Sequence, residues 1–144
     1  ECISLVHIEI PSSVVEIGIY AFRNCSLLDE VLIPSSVSKI DFGAFMHCTS
    51  LKKITIPSSI SEISASMFQG CKSLDNVEIP SSVVLIDESA FEDCKSLSKI
   101  IIPFFVNIKN FAFGGCDMLD RSNIPASNYT IFARSSEVQI CSIF

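Results

Sequence analysis

One repeated interval governs this chain. Prolines stand at 11, 34, 57, 80, 103 and 125, cysteines at 2, 25, 48, 71, 94 and 116, and phenylalanines at 22, 45, 68, 91 and 113, in steps of 23 with only the last shortened to 22. The tetrapeptide Ile-Pro-Ser-Ser recurs at 10–13, 33–36, 56–59 and 79–82. Chance does not hold three residue types in one register over five periods. The chain is therefore a stack of equivalent units in which each unit covers the apolar face of its neighbour.

The second copy, Ile33 to Thr55, shows what one unit does. Val31 and Ile33 alternate as in a strand with one buried side. Pro34 ends that strand because it has no N–H to give to a ladder, and Ser35-Ser36 makes a polar corner. Val37 and Ile40 turn inward from a second short extended piece on the opposite wall. Phe45, Cys48 and Leu51 are spaced by three, which aligns them on one face of a 3₁₀ or single α turn. Ile54 and Ile56 open the next strand. Stacked at about 4.8 Å per rung, five or six such coils make a parallel sheet about 25 Å long, with ladders of Ile, Phe and Cys along its axis. The expected fold is a β-rich, curved solenoid with short strands on one side and 3₁₀ or helical turns on the other. Turns built from proline and serine explain how 144 residues manage with five glycines.

The expected organisation is one solenoid domain over 1–144. It has a partial first repeat at 1–9, repeats at 10–32, 33–55, 56–78, 79–101 and 102–123, and a degenerate last repeat or C-terminal cap at 124–144. The fifth copy departs from the pattern: Phe104-Phe105 replaces Ser-Ser, and Ser122 stands where a buried Ile or Val is expected. Val138 and Ile140 still alternate like a strand in the last segment. The first residues enter in mid-pattern, as in a piece cut from a longer array, and leave an open rung against which a second chain can stack.

The strand line Cys-x-x-Leu-x-x-Ile-x-Ile-Pro runs from Cys48 to Pro57 and, with Val77 for the first Ile, from Cys71 to Pro80. Its continuation Val-x-x-Ile-x-x-x-Ala-Phe-x-x-Cys runs from Val37 to Cys48 and from Val83 to Cys94. Over residues 2 to about 119 these lines resemble the BspA-type (Treponema-type) leucine-rich repeat, and the Ile-Pro-Ser-Ser-Val wording is most similar to the BspA-like families of parasitic protists. The resemblance implies a cell-surface or secreted protein, with some members associated with adhesion to host cells or matrix. It implies no conserved active site.

Composition narrows the function classes. Formal charge is −6, and Lys and Arg are scattered singly apart from Lys52-Lys53, which argues against a phosphate-tracking stripe and against nucleic acid as a partner. The apolar run Ile100 to Val106 is too short to span a bilayer, and no basic and apolar leader opens the chain. The two histidines, His7 and His47, fall at different points of the coil, and no phosphate loop, nucleophile elbow or His-Glu-x-x-His motif occurs. No catalytic residue, metal ligand or cofactor is therefore expected. Ladder cysteines a whole repeat apart lack zinc-site spacing. Parallel Cβ vectors one rung apart exceed the usual disulfide separation of about 3.8 Å, so the ladder is expected to be reduced, with Cys141, off register, the odd thiol.

What varies from copy to copy is the outward strand residues, in two rows: Glu9, Leu32, Thr55, Glu78, Ile101, Asn123, and His7, Glu30, Lys53, Asn76, Lys99, Arg121. A binding face on the concave side would use Glu30, Leu32, Lys53, Thr55, Asn76, Glu78, Lys99 and Ile101; an equally simple account is a solvated surface free to drift. Leu32 and Ile101, apolar where solvent is expected, favour contact. Phe104 and Phe105 are either an exposed hot spot or the seat of the 124–144 cap. Sequons at Asn24 and Asn128 mark potential glycosylation sites. The function expected is non-catalytic binding of a protein or glycan, on host cells or matrix, by a surface or secreted module. The alternative is an intracellular or purely structural scaffold that mediates protein contacts.

Overall fold

The computed structural model describes residues 2–124. Asn128, Cys141, Val138, Ile140 and the C-terminal cap lie outside the described residues.

Each coil carries a three-residue and a two-residue strand. The long strands are β1 (His7–Glu9), β3 (Glu30–Leu32), β5 (Lys53–Thr55), β7 (Asn76–Glu78) and β9 (Lys99–Ile101). The short ones are β2 (Glu16–Ile17), β4 (Lys39–Ile40), β6 (Glu62–Ile63), β8 (Leu85–Ile86) and β10 (Asn107–Ile108). All pairings are parallel and in repeat register, for example Ile8↔Val31↔Ile54 and Val77↔Ile100. In β3, β5, β7 and β9 the middle residue is buried and its neighbours are exposed, as the alternation of apolar residues requires.

The corner between the two strands is a turn closed by Val37 N–H to Pro34 O at 3.0 Å, and likewise by Ile60 to Pro57 and Val83 to Pro80. The second serine of each corner then ties one coil to the coil before it. Ser36 Oγ donates to Val14 O at 2.8 Å, Ser59 to Val37 O, and Ser82 to Ile60 O at 2.6 Å. The repeated Ser-Ser is thus both a turn former and an inter-coil strut.

The third wall holds the Phe and Cys ladders. The spacing of three is realised by i→i+3 bonds such as Cys48 N–H to Phe45 O and Leu51 N–H to Cys48 O, both 3.1 Å. No continuous helix forms, because two columns of left-handed residues interrupt it: Tyr20, Gly43, Ser66, Ser89, Phe111, and Asn24, His47, Gly70, Asp93, Gly115. A right-handed helix would turn every N–H onto its own preceding turn. The two left-handed residues instead swing alternate N–H groups onto the next coil: Gly43 to Ala65 O, Phe45 to Met67 O and His47 to Gln69 O, at 2.7–3.1 Å, with equivalents in every coil interface from Tyr20 to Gly114. This inter-coil ladder offsets the roughly 1–2 kcal/mol that a non-glycine residue loses in the left-handed region.

Inside, Phe22, Phe45, Phe68, Phe91 and Phe113 stack with ring centroids 5.1–5.7 Å apart. Burying each of the enclosed rings, Phe45, Phe68, Phe91 and Phe113, contributes about 1.5–3 kcal/mol, and stacking adds about 0.5–1.5. Apart from a single 3₁₀ turn at Arg121–Asn123, capped by Asp120 Oδ1 accepting from Ser122 N–H at 3.0 Å, the described residues contain no helix. None is therefore long and apolar enough to cross a membrane.

The strand walls depart from an uninterrupted sheet. The long strands form β1-β3-β5 and β7-β9, and the short strands form β2-β4 and β6-β8-β10. At the first opening the Asp75 N–H still reaches Lys52 O at 3.4 Å, close to its counterpart Asp29 N–H to Val6 O at 3.5 Å. The Asp75 carboxylate accepts from its own neighbour Asn76 Nδ2 at 2.8 Å and from Ser98 Oγ of the following coil at 2.7 Å. At the second, Ser64 Oγ donates to Ile40 O at 2.6 Å. The third wall, which continues through both levels, holds the stack together there.

Candidate binding face

The outward residues of the long strands face solvent in neighbouring pairs. Glu30 stands beside Lys53, Leu32 beside Thr55, Asn76 beside Lys99, and Glu78 beside Ile101. All eight are exposed. They do not form one uniform surface. Lys53, Thr55, Asn76, Glu78, Lys99 and Ile101 line a groove of about 730 Å³ set over the opening between β5 and β7. Glu30 and Leu32 lie outside it; Leu32, 65% exposed, lines a separate shallow cavity with His7 and Glu9.

The groove exists because β5 and β7 lie close without pairing. Electrostatics sharpen it. Lys52, Lys53 and Lys99 line the groove and enter no ion pair among the described residues. By contrast Lys39, on the short-strand wall, is held by Glu16 at 3.2 Å and by Asp41 at 2.8 Å. Hydrogen bonds that Lys39 donates to Asp41 and then to Glu16 raise the lysine pKa, and Lys39 lowers that of Asp41.

Phe104 and Phe105 are 93% and 95% exposed. Phe104 occupies the corner position held by Ser58 two coils earlier, and Ser58 lines a small cavity continuous in sequence with the groove, beside Thr55 and Glu78. Phe104 therefore stands on the corner side of the long strands, the side of Thr55 and Glu78. Asn24 is half-buried and left-handed, and its N–H donates to Met46 O at 2.8 Å.

The cysteine ladder is a structural device. Among the described residues all six cysteines are free, and all but Cys2 are buried. Four ladder thiols donate to the phenylalanine carbonyl of the preceding coil: Cys48 to Phe22, Cys71 to Phe45, Cys94 to Phe68 and Cys116 to Phe91, at 3.0–3.2 Å. Burial pushes the Cys48 and Cys116 thiols up to about 12, and those of Cys71 and Cys94 well above the ordinary value near 9. Neutral, hydrogen-bonded thiols are poor nucleophiles. His7 and His47 are far apart in register. Burial, with Arg23 and Lys72 nearby, lowers the His47 pKa. Among the described residues no three His, Cys, Asp or Glu side chains converge as a metal-binding group.

Three features were invisible in sequence reasoning: the left-handed columns, the thiol–carbonyl bonds and the openings in the strand walls. The first left a trace. Gly43, Gly70 and Gly115 fall on those columns, but at unequal intervals, so they do not read as a repeat.

Comparison with known proteins matches this geometry. The family model for the BspA type leucine rich repeat region matches residues 1–120 in six copies. No curated protein matches the sequence. Among solved structures, a T. pallidum leucine rich repeat protein superposes with a TM-score of 0.87 at 30% identity, over 93% of this chain and 65% of that one. A leucine rich cell surface protein from Faecalibacterium prausnitzii gives 0.75 at 39% identity, over 77% of this chain and 30% of that one. A leucine-rich repeat protein from Bacteroides ovatus gives 0.65 at 26%, over 74% and 34%. The chain thus spans about two thirds or less of the length of each. Repeat, fold and family model agree: this chain belongs to the BspA-type leucine-rich repeat family.

Proposed function

We propose that the chain is a non-catalytic protein-binding module of a cell-surface or secreted protein, and that it engages its partner through the long-strand face around Lys53, Asn76 and Lys99. The observation that carries this reading is the groove on the long-strand face, where variable polar side chains stand beside three lysines that enter no ion pair among the described residues. The surface location draws support from the Faecalibacterium prausnitzii cell surface protein, 39% identical over the shared length. The recurring residues serve packing, which leaves recognition to residues that do not recur.

The test immobilises the chain and measures binding of purified matrix and host-surface proteins by interferometry. Antibody labelling of unpermeabilised producing cells tests the location. A partner whose affinity drops with Lys53→Glu plus Lys99→Glu, and holds with Lys109→Glu on the short-strand wall, supports the reading. A partner indifferent to the double change removes this face from the reading.

An intracellular scaffold is the second reading, favoured by one observation. Six free cysteines and no disulfide among the described residues fit a reducing compartment. Absence of antibody labelling on intact cells, with labelling after permeabilisation, selects it.

A further inference from the structure

We infer that the partner element is an acidic peptide segment in the polyproline II conformation, with a carboxylate at every third residue, laid along the solenoid axis across β5, β7 and β9. The inference rests on the proposed binding face and adds its chemistry.

The chain carries a formal −6, yet the groove presents Lys52, Lys53 and Lys99 without an ion pair among the described residues. Of the two acids in the groove, Asp75 already accepts from Asn76 and Ser98, and Glu78 stands in the other outward row, beside Ile101. Within the groove one row is thus cationic and polar, running Lys53, Asn76, Lys99, with Glu30 outside the groove on the rung before Lys53. On an acidic molecule such a row attracts anions locally and speeds their encounter.

The spacing of that row selects the ligand's conformation. Lys53 and Lys99 are both first residues of their strands, two rungs apart, which sets their backbones about 10 Å apart at roughly 4.8 Å per rung. A polyproline II helix repeats every three residues at about 3.1 Å each, so residues i and i+3 share a face about 9.3 Å apart. A β-strand instead returns to one face every two residues, about 6.8 Å, out of step with the lysines. A peptide strand cannot insert between β5 and β7 either, since residues of the two lie within 8 Å of each other and an inserted strand needs about twice the normal 4.8 Å spacing.

An apolar contact completes the face. Phe104 and Phe105, 93% and 95% exposed, stand on the corner that follows β9 and its last residue Ile101. Exposed aromatic rings on the corner that follows this strand can take proline rings of such a segment, as aromatic surfaces take proline-rich ligands elsewhere.

The experiment is fluorescence anisotropy with a labelled peptide of repeated Glu-Pro-Pro triplets, against its Gln-Pro-Pro counterpart and an alternating uronate polysaccharide. The expected result is binding at least about tenfold tighter to the Glu peptide, weakening with salt. It should be lost by about tenfold in the Lys53→Glu plus Lys99→Glu variant and unchanged in Lys109→Glu. Phe104→Ser plus Phe105→Ser, which restores the corner residues of the other copies, should also weaken it. Equal affinity for the Gln peptide, or indifference to the lysine changes, overturns the inference. So does tighter binding of the polysaccharide, which makes the ligand a glycan. Failure here while a protein partner still depends on Lys53 and Lys99 leaves the proposed function standing; loss of that dependence ends both.

Discussion

The Cys71 thiol donates to the Phe45 carbonyl of the preceding coil at 3.2 Å, and the same carbonyl receives the Cys48 N–H of its own coil at 3.1 Å. One buried oxygen is therefore shared by two coils, and the pattern repeats from Phe22 to Phe91. Two ladders that look independent in the sequence are one mechanical element.

Replacing Cys71 with Ala removes the second donor and leaves a small void between coils. The expected loss is about 1–2 kcal/mol, from the combined hydrogen-bond and cavity terms. Urea titration of the variant measures it. An unchanged midpoint would mean that the thiol contributes nothing beyond filling space that its neighbours can refill.

The ladder thiols also set an alkaline limit. Their folded-state pKa values are raised, to about 12 for Cys48 and Cys116. The native state thus keeps protons that the unfolded chain releases near 9. Stability from this source is complete below pH 9 and is lost as pH rises toward 12, by up to about 1.4 kcal/mol per pH unit for each such thiol. Thermal melts between pH 8 and 11 should show a falling midpoint, and Cys94→Ala should make the fall shallower. A midpoint flat to pH 11 contradicts the assignment. At pH 8 a thiol reagent should find Cys2 and leave the described ladder cysteines unmodified.

Gly43 and Gly70 sit on the left-handed columns, at φ +60° and +74°, directly against Tyr20 and His47 of the preceding coil. A Cβ on Gly43 would fall 2.6 Å from Tyr20 Cε1, and one on Gly70 would strike the His47 ring. Gly43→Ala should therefore cost about 1–3 kcal/mol, part backbone strain and part clash. Tyr20→Ala in the same chain should recover the clash and leave the strain. Gly18, with open space around its Cβ position, is the control, expected to change stability by less than about 0.5 kcal/mol on going to Ala. A double variant no more stable than Gly43→Ala alone would assign the whole cost to the backbone.

Phe105 interrupts the column of corner struts. In the preceding coils the equivalent serines donate to Val14, Val37 and Ile60 carbonyls, and the matching acceptor here is Val83 O. Phe105→Ser should restore that strut and raise stability by about 0.5–1.5 kcal/mol, seen as a higher melting temperature, while weakening partner binding. A lower melting temperature would show that the ring is packed and plays no part in recognition.

How much of this was legible beforehand follows from where the chemistry sits. Val31, Ile54, Val77 and Ile100 are buried by alternation alone, and Phe45, Cys48 and Leu51 share a wall by spacing alone. Both are consequences of side-chain direction, which short-range sequence controls. The eight outward residues lie on the exposed side of their strands for the same reason. Their division into a groove and a flank could not be read, because the break between β5 and β7 is a matter of backbone pairing between coils a whole repeat apart.

The sequence by itself determined the coil: its length, its corners, the inward Ile, Phe and Cys positions, and the family to which the repeat belongs. Periodic burial leaves few alternatives once five copies must stack on one another. Only the tertiary structure decided which N–H groups cross between coils, which residues must turn left-handed to send them there, and where the strand walls open. Those outcomes depend on backbone groups common to every residue type, so no side-chain pattern records them.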